Sequence, residues 1–336
     1  MNKTLTPKQA ERFLKSFIAA GRNVHLAGEP GIGKTAIIEK VAKDLNRTLV
    51  VKIAAQLGIA DITGLPRVTA DSTTWILPDW IKQLTSDSII FFDELPNALP
   101  SVWNLLLRMI NEHAVGDYRL PPGVVFISAG NRATDRAGSN KLTSSMSSRL
   151  VHGHMVADLS AWCQWAVLKN QNQNQMIHPM VLAFNRFRSE LHCKFDKDAD
   201  TFPCPRTWHA LSDLIYAGGL DQDLKLQGYC GTVGDAAGVE FMAFERVWLE
   251  IPSTDQVLLN PDQAPVPTEP SAMYAISAAL ASKVDSKNFG RGLKYCKRLP
   301  AEFTNLFVKD STDRDQALAK TAEFTEFQIA REAVRV

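Results

Sequence analysis

No apolar stretch in the sequence approaches the roughly 20 residues that a membrane-spanning helix requires, and the opening segment, Met1 to Thr6, is polar. Neither a signal peptide nor a membrane anchor is expected, and the chain reads as cytoplasmic. An excess of charge of one sign is also missing. With 37 basic and 36 acidic side chains the net charge is +1, so no global field recruits nucleic acid or an anionic membrane, although a local basic groove stays open. Cysteine is sparse. The five residues Cys163, Cys193, Cys204, Cys230 and Cys296 are odd in number and scattered, which excludes the dense, even framework of a small secreted domain and leaves reduced thiols. No segment repeats at a fixed period.

What is present suits a globular chain of two domains: 336 residues at 45% apolar composition can bury one large core or two ordinary ones. Thr6-Pro7 reads as an N-cap followed by proline at the first helical position, with Phe13, Leu14, Phe17 and Ile18 at helical spacing behind it. Val24 to Ala27 is a short apolar run that ends in a glycine turn. After it, Ile37, Ile38, Val41, Ala42 and Leu45 line one helical face. Leu49 to Ile53, Ile89 to Phe92, Val124 to Ser128 and Val151 to Val156 supply four more short strands, most of them separated by helical or loop-rich stretches such as Ser101 to Asn111. That alternation predicts an α/β core with a parallel five-stranded sheet covered by helices. Between the second and third strands, Gly64-Leu65-Pro66 and a Thr/Ser-rich turn predict a hairpin insertion near 61–80.

After residue 157 strand signals fade and helical stretches take over at Leu159 to Leu168, Met176 to Leu191, Arg206 to Tyr216 and Ala236 to Glu250. The expected division is an α/β core over 1–156 and a mostly helical lid over 157–336. Within the lid, Asn170 to Gln175 reads as a polar loop. Pro252 to Pro270, with five prolines and few large apolar residues, reads as an extended crossing. Two or three helices should follow as a C-terminal extension, the last starting near Ser311.

Gly28-Glu29-Pro30-Gly31-Ile32-Gly33-Lys34-Thr35 fits G-x-x-x-x-G-K-[ST] at every fixed position and lies between a strand and a helix, the context the motif needs. Its glycines allow the positive φ angles that wrap backbone N–H groups around phosphate oxygens, and the following helix turns its positive end to the anion. Glu29 to Ala36 are therefore the candidate nucleotide contacts, with Lys34 reaching the β and γ phosphates and Thr35 placing its hydroxyl on Mg²⁺. Ile89 to Phe92 runs into Asp93-Glu94. One carboxylate suits a hard cation and the next can activate the attacking water, so the pair points to ATP hydrolysis. Asn131, after Val124 to Ser128, reaches the same sheet edge as a water-aligning amide or as a turn residue.

The order of these features across residues 20 to 250 resembles the AAA+ superfamily of P-loop NTPases, in its MoxR and dynein-related branch. Asp61-Ile62-Thr63-Gly64-Leu65-Pro66 is similar to the segment that opens that branch's insertion. Phe92 to Ala98 with Leu105, Leu106, Met109, Ile110 and Glu112 resembles its extended Walker B, and Ser128-Ala129-Gly130-Asn131 its first sensor. Ser148-Arg149-Leu150 stands where the family carries an arginine finger, and Cys204-Pro205-Arg206-Thr207-Trp208 where it carries a second sensor. The resemblance makes Glu94, Lys34, Asn131, Arg149 and Arg206 catalytic, with Arg149 entering a neighbour's site. The bland alternatives are a surface ion pair for Arg149 and a helix cap for Arg206. Where the family has Asn or Asp-Arg after the Walker B glutamate, this chain has Leu95-Pro96-Asn97.

What the resemblance implies is a homo-oligomeric ring, a hexamer, using ATP and Mg²⁺ to remodel a protein client, with a von Willebrand factor A domain protein as partner. Two other classes stay open: a nucleic-acid translocase or restriction-type motor, and a nucleotide-gated assembly switch with little turnover. His192, Cys193, Cys204 and His209 lack metal-ligand spacing. Trp162 and Trp165 read as lid core. Trp75 and Arg67 read either as substrate contacts in a central pore or as hairpin stabilisers.

Overall fold

A computed structural model describes residues 4–132, 141–168 and 176–333. The chain divides into two compact units, Met1–Ala157 and Asp158–Val336.

The first unit opens with β1 (Thr4–Leu5) and α1 (Pro7–Ala19). Thr6 caps α1 as its sequence announces: the Gln9 amide donates to Thr6 Oγ1 (3.4 Å) and the Thr6 amide to Gln9 Oε1 (2.9 Å), a reciprocal box ahead of a proline start. Then come β2 (Val24–Ala27), α2 (Lys34–Asp44), β3 (Thr48–Ile53), α3 (Ile59–Thr63), β4 (Leu65–Val68), β5 (Thr73–Ile76), α4 (Asp79–Lys82) and β6 (Ser88–Asp93). The unit finishes with α5 (Pro100–Glu112), β7 (Ala114–Val115), β8 (Tyr118–Arg119), β9 (Val125–Gly130), α6 (Ser144–Ser147) and β10 (Val151–Met155).

The main sheet is parallel throughout, in the order β1-β10-β2-β9-β6-β3. The five strands read from sequence are contiguous within it, and β1 adds a sixth beside β10. Two residues are too short a run to show alternation. β6 is buried from Ser88 to Phe92, as a strand covered on both faces must be, and Val102, Leu106, Met109 and Ile110 of α5 pack in one cluster with Ile90, Phe92 and Phe126. β4 and β5 form the expected hairpin, with Leu65 opposite Ile76 and Pro66 opposite Trp75. All eight of its strand residues are exposed, Trp75 at 58%.

The second unit is helical: α7 (Leu159–Ala166), α8 (Pro179–Phe187), α9 (Pro205–Tyr216), α10 (Lys225–Val233), α11 (Asp235–Glu250), α12 (Thr254–Leu259), α13 (Pro270–Lys283), α14 (Phe289–Cys296), α15 (Ala301–Arg314) and α16 (Ala322–Ala333). One apolar cluster gathers Trp162, Phe184, Trp208, Tyr229 and Phe241; a second gathers Val257, Ile276, Phe289, Tyr295 and Phe307. Helix α13 serves both, with Ala275 and Ala278 in the first cluster and Ile276 and Leu280 in the second.

Three expectations need correction here. Pro252 to Pro270 is not an extended crossing. It contains α12, buries Val257, Leu258 and Ala264, and is tied down where Tyr295 Oη donates to the Pro265 carbonyl (2.6 Å) and Arg298 Nη1 to the Pro261 carbonyl (2.6 Å). Ser311 does not start the last helix. It lies inside α15, buried, with Oγ donating to the Phe307 carbonyl (2.7 Å), and four helices follow Pro270 when α13 is included. Trp162 is core, whereas Trp165 is 45% exposed beside the His209 ring. The Asn170 to Gln175 tract lies outside the described residues.

Candidate functional site

The carboxyl ends of β2, β6 and β9 meet at one edge of the sheet, and each delivers a polar group. β2 passes into the glycine loop. Gly31 (φ 76°) and Gly33 (φ 92°) take left-handed backbone that side-chain-bearing residues avoid, which lets the loop curl before α2 begins at Lys34. The loop's base is pinned by the Gly28 amide donating to the Gly130 carbonyl (3.2 Å).

Lys34 is 9% exposed. Its ammonium donates to the carbonyls of Gly28 (2.8 Å) and Glu29 (2.7 Å) and, more weakly, to Asn131 Oδ1 (3.3 Å). A buried cation needs such acceptors, and these are held by the loop that the motif assigns to phosphate. Thr35 Oγ1 donates to Asp93 Oδ2 (2.9 Å), so two hard oxygen donors from different elements lie side by side, as Mg²⁺ requires. Asp93 Oδ1 accepts the Glu94 amide (2.9 Å). Glu94 itself adopts φ 54°, a left-handed turn uncommon for a residue with a side chain, and is exposed.

The Leu95-Pro96-Asn97 departure has a packing reason. A Cβ at Gly130 would sit 2.4 Å from Pro96 Cδ, so the proline after the acidic pair presses directly on the strand that carries Asn131. The structure thus brings Gly28 to Thr35, Asp93 and Asn131 into one bonded group, with Glu94 next to Asp93. Arg149 stands apart from that network. It is exposed, its Nε donates to Asn111 Oδ1 and its Nη1 to the Ser145 carbonyl (2.7 Å), and among the described residues no carboxylate pairs with it. Arg206 belongs to the second unit, exposed in the first turn of α9; the cap there is made by Thr207 Oγ1 accepting from the Cys204 amide (2.9 Å), not by Arg206.

Residues 23–150 match the family model of the AAA domain, dynein-related subfamily. The chain carries an AAA domain. A curated relative, the protein MoxR of Methylorubrum extorquens, is 31% identical over 124 residues, which is 35% of this chain and 36% of that protein. The match therefore spans about a third of the relative's length. Among solved structures, the Thermotoga maritima RuvB Holliday junction branch migration motor is 16% identical with a TM-score of 0.38, covering 82% of this chain and 81% of that one. Brucella abortus NtrX in complex with ADP is 14% identical with a TM-score of 0.43, covering 89% and 65%. These are weak likenesses.

Two residues of the AAA domain escape a reading by motif. Arg132 Nη2 donates to Glu29 Oε1 (2.6 Å), and the only sequence signal is an arginine following Asn131. His25, a polar residue in an otherwise apolar strand, is 4% exposed, with its Nδ1 2.9 Å from Ser128 Oγ. Burial first, then the nearby His152, His154 and Lys34, pushes its imidazole down from 6.5 to about 3. It therefore stays neutral while the unfolded chain's histidine takes up a proton. Stability should fall as pH drops from about 6.5 toward about 3, and His25→Asn should flatten that fall in urea melts; parallel curves for the two proteins would contradict this assignment.

Proposed function

We propose that this chain binds and hydrolyses ATP as a subunit of a ring, a hexamer, that remodels a protein client. The observation that carries the reading is the bonded group of Lys34, Thr35, Asp93 and Asn131 at the carboxyl edge of the sheet. In it Lys34 exchanges its carbonyl partners for the β and γ phosphates, and the loop amides from Glu29 to Ala36 cradle the same oxygens. Thr35 and Asp93 would hold Mg²⁺, which neutralises charge on the phosphates when bound. Glu94 takes the proton of the attacking water, and Asn131 orients that water. The family resemblance assigns Arg206 a part in hydrolysis.

Arg149 acts in trans. Its exposure, and the lack of a carboxylate partner among the described residues, favour a guanidinium available to a neighbouring copy, where such fingers are worth about 10³–10⁵ in rate. The family resemblance implies a protein client and a von Willebrand factor A domain partner, and a cytoplasmic setting completes the proposal. No described helix is long and apolar enough to cross a membrane.

Mixing subunits tests the ring. Lys34→Ala and Arg149→Ala proteins should each be inactive alone and regain part of the ATPase rate when combined, because mixed interfaces pair an intact loop with an intact finger. No recovery at any ratio would remove the trans role of Arg149.

A further inference from the structure

Three consecutive residues at the end of β9 reach the phosphate loop by three different means. Gly130 accepts the Gly28 amide (3.2 Å), Asn131 accepts from Lys34 (3.3 Å), and Arg132 donates to the carboxylate of Glu29 (2.6 Å). The first two shape and charge the site already described. The third is a side-chain ion pair, and the loop's curvature does not depend on it: Gly31 and Gly33 supply the turn, and the Gly28 amide anchors its base.

Its effect is electrostatic. Glu29 places a full negative charge on the second residue of a loop whose proposed ligand is a polyanion, and the carboxylate is 27% exposed, so water screens it only in part. Like charges brought together in such a setting oppose binding in proportion to the ligand's own charge. The guanidinium, 32% exposed, meets that carboxylate at a charge-assisted distance.

We infer that Arg132 is a positioning residue of the nucleotide site, which engages and neutralises Glu29 so that the loop accepts the phosphates of a nucleoside triphosphate. The inference rests on the nucleotide-site reading above. It makes selectivity by ligand charge a property of a pair: with Arg132 gone, the triphosphate suffers more than the diphosphate and the uncharged nucleoside not at all. Arg132 need not touch the phosphates for this to hold, since it acts through Glu29.

The experiment measures affinities of MgATP, MgADP and adenosine for the full chain by competition with a fluorescent nucleotide. The proteins are wild type, Lys34→Ala, Arg132→Ala, Glu29→Gln and the Glu29→Gln/Arg132→Ala double variant. Arg132→Ala should weaken ATP by about tenfold and ADP by less, with adenosine unmoved. Glu29→Gln should bind ATP more tightly than wild type, and the double variant should recover the affinity lost in Arg132→Ala. That recovery separates neutralisation from a mere loss of packing, which removing Glu29 as well would not repair. The inference is overturned if Arg132→Ala binds ATP as wild type does, or if the double variant stays as weak as Arg132→Ala, which would mean that the guanidinium contacts phosphate itself. Failure of the underlying reading looks different: wild type and Lys34→Ala would be alike in binding no ATP.

Discussion

Replacing Glu94 by Gln should lower ATP turnover by about 10²–10⁴-fold while leaving MgATP binding in place. The separation follows from where each group sits. The loop, Lys34, Thr35 and Asp93 are joined by hydrogen bonds that do not involve the Glu94 side chain, whereas Glu94 is thrown out of the β6 line by its left-handed turn and faces solvent beside Asp93. An amide of the same shape keeps the backbone geometry and the Asp93 contact to the Glu94 N–H, but it cannot accept a proton from water. Single-turnover phosphate release and nucleotide binding on the same preparation distinguish the two effects. A variant that hydrolyses ATP at the wild-type rate would move the base elsewhere and favour a different role for this turn. The same protein addresses the assembly-switch alternative, since a switch that seldom turns over would keep its biological activity with Gln at this position.

The largest effect on stability should come from the second unit, at Asp310→Ala. Arg186 of α8 and Asp310 of α15 form a two-pronged ion pair, Nη2 to Oδ1 at 2.7 Å and Nη1 to Oδ2, with side chains only 10% and 3% exposed. The pair links the helix that carries Phe184 of one apolar cluster to the helix that carries Phe307 of the other. Removing one partner strands a buried charge, which costs about 3–5 kcal/mol, whereas replacing both by apolar residues of similar volume costs far less. Urea unfolding of Asp310→Ala and of Arg186→Met/Asp310→Leu measures both. If the single variant is as stable as wild type, the pair is not the tie between the two clusters that its burial implies.

The parts of this molecule legible in sequence are those whose physics is local. A glycine loop between a strand and a helix, a buried strand ending in Asp93-Glu94, and a proline after Thr6 are each set by a few neighbouring residues, and each stands in the structure where the spacing puts it. Local rules also explain the misses. Helix α10 contains Gly228 and Gly231, which weaken any helical reading, yet Tyr229 and Val233 are buried against α11 and tertiary packing holds the turn. The five prolines between 252 and 270 mask a segment held by groups about thirty residues away: Tyr295, Arg298 and Lys294 all bond to it. β1 exists only because β10 pairs with it.

The site divides in the same way. Lys34, Thr35, Asp93 and Glu94 follow from motif alone, and Asn131 from the sheet edge it occupies. Arg132 and His25 owe their places to pairings across more than a hundred residues, with Glu29 and Ser128, that no spacing records. Arg149 and Arg206 rest on the family resemblance, one of them exposed beside α5 and α6 and the other at the start of a helix in the second unit.

The central claim, that the loop from Gly28 to Thr35 is a working nucleotide site, is tested most directly by titrating the purified chain with ATP, with and without Mg²⁺, beside Lys34→Ala and Asp93→Ala. Wild type should bind saturably, Lys34→Ala should lose that binding, and a Mg²⁺-dependent gain in affinity should disappear in Asp93→Ala. Wild-type protein that binds no ATP, or Lys34→Ala protein that binds it equally well, would contradict the claim.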